Sequence, residues 1–272
     1  MQIKIGPIQS LSIIDALTLL HRVEEATKAK SFYHIVLLDL ALFVRSLFNK
    51  ELRRVINEAD LVLPKGSFFL WGISKVVPCK DKIQAPIQDN LQSENLNDAP
   101  FDLDDEGIYR SDEAFQDHSN LSLLLFKYFE NRPVGFFLLG DTLDNVHLAA
   151  RYIKRSFPAL QIMGTHSSKQ LKRRPKELLE KLRKVAPHIL ILDFSRRKQE
   201  KWIRDHKDYL SSTVCIGMDR EMSLYAGQQK GLKNGIALLV KGRWLFIFQA
   251  CYYLLLIVLY KTLLKKEVQC TE

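Results

Sequence analysis

Six short runs of apolar and β-branched residues recur along this chain, and they do not alternate with polar residues as strands with one wet face do. They are IVLLDL (35–40), DLVLP (60–64), GFFLLG (135–140), LQIMGT (160–165), HILILDF (188–194) and VCIGM (214–218). Strands apolar on both sides belong in a sheet covered on both faces, the environment of a mostly parallel sheet. Helical periodicity fills 40–59, 144–158 and 175–187, the last framed by Pro175 and Pro187. Residues 135–165 read as one strand–helix–strand unit, with the length of about thirty residues that a parallel crossover needs. The pattern predicts an α/β fold with a mostly parallel, Rossmann-like sheet flanked by helices.

Two regions break the pattern. Residues 76–107 carry three prolines and many amides, and read as an exposed insertion or linker within an α/β domain that spans 1–240. Residues 241–272 form a separate C-terminal segment. Its stretch 244–260 has seventeen residues without a formal charge, about 25 Å as a helix and at the short end for a bilayer. Lys241 and Arg243 precede it, Lys261, Lys265 and Lys266 follow it, and Trp244, Tyr252, Tyr253 and Tyr260 supply rings suited to an interface. The expectation is a membrane-associated helix over 244–264, transmembrane or anchoring, with spanning and lying on the membrane both left open. The N-terminal stretch lacks the compact basic-then-apolar layout of a signal peptide, so the globular part is expected at the cytoplasmic face.

The formal net charge of +9 asks for an anionic partner: nucleic acid, an acidic membrane or a phosphorylated ligand. No zinc-finger, RRM or basic-zipper pattern is present, and nucleic acid is set aside. Cys79, Cys215, Cys251 and Cys270 lack metal-ligand spacing and a disulfide framework, and none is a candidate nucleophile. No metal site is expected.

Three stretches carry a resemblance. They are HIVLLDLALFVRSLFNKELRRVINEADLVLPKGSFFLWG (34–72), GFFLLGDTLDNVHLAARYIKRSFPALQIMGTHS (135–167) and HILILDFSRRKQEKWIRDHKDYLSSTVCIGMDREMSLYAG (188–227). In order and content they resemble the WecG/TagA/CpsF glycosyltransferase family, KQEKWI and VCIG followed by AG being the most specific strings. The resemblance implies transfer of a sugar, typically N-acetylmannosamine, from a UDP-sugar to a polyprenyl-diphosphate-linked acceptor at the cytoplasmic membrane, without a cofactor or metal. It also implies a C-terminal appendage that reaches the membrane, the place 244–264 occupies here. A homo-oligomer is left open.

Independently of the family, ligands of open α/β sheets bind at the carboxyl ends of the strands. Gly140, Thr165 and His166, and Lys198, Gln199 and Glu200 all stand after such ends and are candidate substrate-binding residues. Each has a plainer alternative: a tight turn for Gly140, a loop histidine for His166, helix-start charges for Lys198 and Glu200. Arg196 and Arg197 read as surface charges more readily than as diphosphate clamps.

The chain departs from the family where chemistry is expected. The family's ADLVLPDG carries the aspartate implied as general base, and here Lys65 stands in its place, an ammonium with no lone pair to offer at neutral pH. Asp39 stands in the first strand where the family has Asn. Asp219 and Arg220 replace a glycine pair after VCIG. Asp39 and Asp219 are therefore the preferred candidates for a relocated base, ahead of Asp60 and Asp112. Two readings stay open: a divergent inverting glycosyltransferase, and a catalytically inactive, membrane-tethered family member serving a glycan-assembly complex.

Overall fold

All six apolar runs form strands, and all six lie in one sheet. The computed structural model describes residues 2–66, 69, 70, 73, 121–168, 175–194, 196–218, 225 and 269–271. The main sheet contains β3 (Tyr33–Leu38), β4 (Leu61–Pro64), β5 (Gly135–Gly140), β6 (Gln161–Ser167), β7 (Ile189–Asp193) and β8 (Val214–Gly217) in the order β4-β3-β8-β7-β5-β6. Every neighbouring pair is parallel, so all carboxyl ends share one edge. A second sheet of three strands lies outside the sequence expectation: β1 (Gln2–Ile5) and β2 (Ile8–Ser12) form a hairpin, and β9 (Gln269–Thr271) pairs antiparallel with β1.

Both faces of the parallel sheet are covered from β4 to β5, as the apolar runs require; β6 departs from that expectation, an edge strand that is largely half-buried, with Met163 exposed. On one face Ile35, Leu37, Phe136, Leu138, Ile189 and Ile191 pack against α1 (Ala16–Ala29), α4 (Leu121–Phe129) and α5 (Leu143–Ser156). On the other, Val36 and Leu38 meet α2 (Leu40–Phe48), α3 (Lys50–Asn57) and the hairpin. Further along that face Phe137, Leu190, Leu192 and Cys215 meet α6 (Pro175–Val185) and α7 (Arg196–Asp205). Asn57 ties the hairpin down, accepting from Gln9 N–H and donating to the Pro7 carbonyl.

The helix expected over 40–59 is two helices. Asn49 leaves helical geometry (φ −122°, ψ 102°) and its side chain accepts from Leu52 N–H at 3.0 Å, capping α3. An asparagine caps a helix better than it continues one, and here the cap prevails.

The helix after β5 packs on the first face and the helix after β7 on the second, while β5 and β7 are adjacent. Their carboxyl ends therefore form the switch point where an open sheet leaves a crevice. A bulge in β6 sharpens this end. The register slips between Phe136 and Phe137, leaving Met163 as the extra residue, and a Cβ on Gly164 would stand 3.1 Å from Phe137 Cδ2. The bulge resets the pairing so that Thr165 opposes Leu138 and His166 opposes Leu139.

The stretch 244–264 and the insertion 76–107 lie outside the described residues. Among the described residues no helix is long and apolar enough to cross a membrane.

Candidate functional site at the carboxyl edge

Along the edge from β4 to β6 the chain presents Lys65, Asp39, Met218, Asp193, Gly140 and Ser167. Lys65 follows Pro64, and its backbone N–H donates to the Leu38 carbonyl at 2.9 Å. Its Nζ donates to the Met218 carbonyl at 3.5 Å, at the end of β8. Because β4 and β8 flank β3, and adjacent strands lie about 4.8 Å apart, the ammonium crosses the end of β3 toward the middle of the edge.

Asp39 is the N-cap of α2: its Oδ1 accepts from Leu42 N–H at 2.8 Å. The side chain is half-buried at the end of β3 and is held by the helix it starts. Asp60 is taken as well, its Oδ2 accepting from His34 N–H at 2.8 Å and locking the starts of β3 and β4 together. Asp219 and Asp112 lie outside the described residues.

On the other side of the switch point, Gly140 is buried and pairs with Asp193 and Ser167. Thr142 then caps α5, accepting from Asn145 N–H at 3.4 Å, so the N-terminus of a fourteen-residue helix opens just beyond Gly140. Such an end carries unpaired N–H groups and the positive pole of the helix dipole. Ser168 Oγ donates to Asp141 across the neck of β5 and β6. Thr165 and His166 are both half-buried. Burial, assisted by the Lys181 charge and opposed by a hydrogen bond with the Thr165 backbone, holds the His166 imidazolium below its ordinary range.

The most organised polar group lies under α7. Lys198 is exposed, whereas Gln199 and Glu200 turn inward and are 2% and 1% exposed. Glu200 Oε2 accepts from His34 Nε2–H at 2.8 Å, and its Oε1 accepts from Gln199 Nε2–H at 3.1 Å. Gly217, the last residue of β8, makes room for the group: a Cβ there would sit 2.6 Å from Glu200 Oε1 and closer still to the Gln199 amide nitrogen. Among the described residues, Gln199 Oε1 is buried without a hydrogen-bond partner. Buried acceptors are ordinarily paired, so this one stands out.

The sequence candidates thus fall into groups. Lys65, Asp39 and Gly140 stand at strand ends on one edge, with Thr165 and His166 beside them on β6. Gln199 and Glu200 lie beneath α7 against Gly217, and Lys198 faces solvent. Sequence reasoning missed His34, whose only signal was a polar residue at the head of an apolar run. It also missed Asp193, a carboxylate that closes β7 at the switch point and is 4% exposed. The burial of Cys215 pushes its thiol far above the usual range, so it is chemically inert.

Comparison with known proteins fits this arrangement. Residues 117–232 match the glycosyl transferase WecG/TagA/CpsF family. The matched WecG/TagA/CpsF segment holds β5 to β8, α7 and the switch point; Asp39 and Lys65 lie outside it. Among curated proteins the chain is similar to N-acetylglucosaminyldiphosphoundecaprenol N-acetyl-beta-D-mannosaminyltransferase of Staphylococcus aureus strains NCTC 8325 and COL. Identity to each is 26% over 94 residues. The match spans 35% of this chain and about a third (36%) of the length of those relatives.

Proposed function

We propose that this protein is a glycosyltransferase that moves an N-acetylmannosamine-like sugar from a UDP-sugar to a polyprenyl-diphosphate-linked acceptor. The observation that carries this reading is the presence, on one carboxyl edge, of the Lys65 ammonium at the end of β8 and the helix N-terminus after Gly140, within a fold whose family match covers the switch point. The acceptor hydroxyl oxygen attacks the anomeric carbon, and the bond from that carbon to the donor diphosphate breaks with its electron pair. Lys65 and the N–H groups at the start of α5 face the charge that collects on the leaving diphosphate. The hydroxyl proton goes to a carboxylate, for which Asp39 and Asp193 at the edge are candidates, with Asp219 the further candidate from the sequence.

A second reading, a catalytically inactive member of a glycan-assembly complex, draws on two observations: a lysine occupies the position of the expected base, and Asp39 caps α2. One assay separates the two. Purified full chain, UDP-N-acetylmannosamine and a polyprenyl-diphosphate N-acetylglucosamine acceptor are mixed, and the lipid product is read by mass spectrometry. Product that disappears in Asp39→Asn or Asp193→Asn supports the enzyme; donor binding without any product supports the inactive member.

The functional reading includes attachment at the cytoplasmic face through 244–264. Residues 269–271 pair with β1, and a segment crossing the bilayer once would leave these two strands on opposite sides. This favours a helix that lies on the membrane over one that crosses it. Release of the full chain from membranes by alkaline carbonate is the expected result, and retention in the pellet would favour a spanning helix.

A further inference from the structure

We infer that His34 and Glu200 are positioning residues that fix the Gln199 amide with its nitrogen inward, so that its oxygen receives a neutral N–H or O–H of the nucleotide sugar and not the diphosphate. This rests on the functional reading above. Glu200 offers only acceptors, so the Gln199 group facing it must be the NH2; an amide turned the other way would set two oxygens against each other. His34, donating to the second carboxylate oxygen, keeps Glu200 from rotating away. Glu200 is therefore held from both sides, and Gln199 inherits a single orientation.

What remains on Gln199 is Oε1, a buried acceptor with no partner among the described residues. It belongs to an amide that lies against Gly217, at the end of β8 and on the ligand-binding side of the sheet. A lone acceptor beside a buried carboxylate repels phosphate oxygens, whereas a donor removes the desolvation cost of the orphaned oxygen. The nucleotide sugar carries such donors in two places, the uracil imide N–H and the sugar hydroxyl or amide groups. Lys65 and the α5 N-terminus take the diphosphate, and Gln199 reads a neutral end of the same molecule.

The test is calorimetric titration of the full chain with UDP, UDP-N-acetylmannosamine and inorganic diphosphate, on wild type, Gln199→Met and Glu200→Gln, with thermal melts alongside. Gln199→Met is expected to lower affinity for the nucleotide ligand about tenfold, the worth of one buried hydrogen bond, and to leave diphosphate binding unchanged. A loss already seen with UDP assigns the donor to uracil; a loss seen only with UDP-N-acetylmannosamine assigns it to the sugar. Glu200→Gln frees the Gln199 amide to turn its NH2 outward, so the preference for UDP over diphosphate narrows, a change that simple loosening of the fold does not produce. Equal affinities for wild type and Gln199→Met, or an equal loss for diphosphate, overturn the inference. Should Gln199→Met fail to fold, an unchanged preference in Glu200→Gln overturns it. Failure of wild type to bind any of the three ligands defeats the functional reading itself, and this inference with it.

Discussion

Helix α7 carries an acid–base cluster on each of two faces, and the two obey different physics. Inward, Glu200 pairs with His34, both side chains at most 4% exposed. Outward, Lys201 and Arg204 reach Glu51 of α3 at 2.8 and 3.2 Å, with Glu51 49% exposed. The distances are alike; the solvent is not. Water screens the outer cluster and would solvate any member left alone, whereas the inner carboxylate has only its protein partners. Similar geometry on one helix therefore gives a fixed, costly contact on one side and an interchangeable one on the other.

The sharpest way to break this contrast is His34→Leu. It leaves the Glu200 carboxylate with Gln199 alone, and removing one member of a buried pair costs roughly 3–5 kcal/mol. Urea denaturation is expected to show that loss, and the double variant His34→Leu/Glu200→Leu is expected to recover part of it. A loss below about 1 kcal/mol, the range of surface pairs, would put the inner pair in the same class as the outer one.

Gly217→Ala comes next. The new Cβ meets the ends of Gln199 and Glu200, side chains that would swing aside easily on a surface. Here they are bonded to one another and to His34, so yielding breaks the network. Overpacking of this kind costs roughly 1–3 kcal/mol, and urea denaturation of Gly217→Ala checks it.

Glu24 stands between the extremes, 21% exposed, and accepts from Lys28, Tyr128 and Arg132. The Lys28 bond first, with the tyrosine and arginine bonds, holds its carboxyl at about 2, below the ordinary 4.5. The folded state thus resists protonation. Its contribution is present above the unfolded value and is lost as pH falls from 4.5 toward 2. Urea midpoints taken at pH 5.5 and pH 3 should converge for wild type and Glu24→Gln as the pH drops; a gap that stays constant would mean that the carboxylate charge contributes nothing.

These contrasts also mark how far the sequence could be read. Six uniformly apolar runs were enough for the sheet class and for the edge where ligands bind, because a strand buried on both faces leaves no other pattern. The strand-end position of Gly140 was legible for the same reason, since it closes a run, whereas Lys65 stood out only through the family resemblance, whose expected aspartate it replaces. The split of 40–59 at Asn49 was not legible, since one capping side chain decides it against a continuous periodicity. The hairpin strands are short and interrupted by Gly6 and Pro7, and β9 has three residues, so neither offers a period to detect. The roles of Gln199 and Glu200 were readable only as helix-start polarity. Their burial depends on α7 lying over Gly217 and on His34 arriving from a strand 166 residues from Glu200 in sequence, a coincidence of packing that no local pattern encodes.

The outer cluster supplies the smallest effect and the cleanest control. Lys201 and Arg204 share Glu51, whose carboxyl the Lys201 bond, then the Arg204 bond, holds below its ordinary range. Arg204 also bonds Asp205, so it keeps an acidic partner if Glu51 is removed. Glu51→Gln therefore leaves only Lys201, a long and half-exposed cation that loses little, without this partner, and the melting temperature of the variant is expected to match wild type in physiological salt. At low ionic strength, where the Debye length grows to about 30 Å, a small destabilisation should emerge, and 1 M salt should erase it. Measured beside His34→Leu across the same salt series, the two faces of α7 should separate: the inner loss stays constant because no ions reach it, and the outer one fades. If the His34→Leu loss also fades with salt, water reaches Glu200, and the rigid placement of Gln199 falls with it.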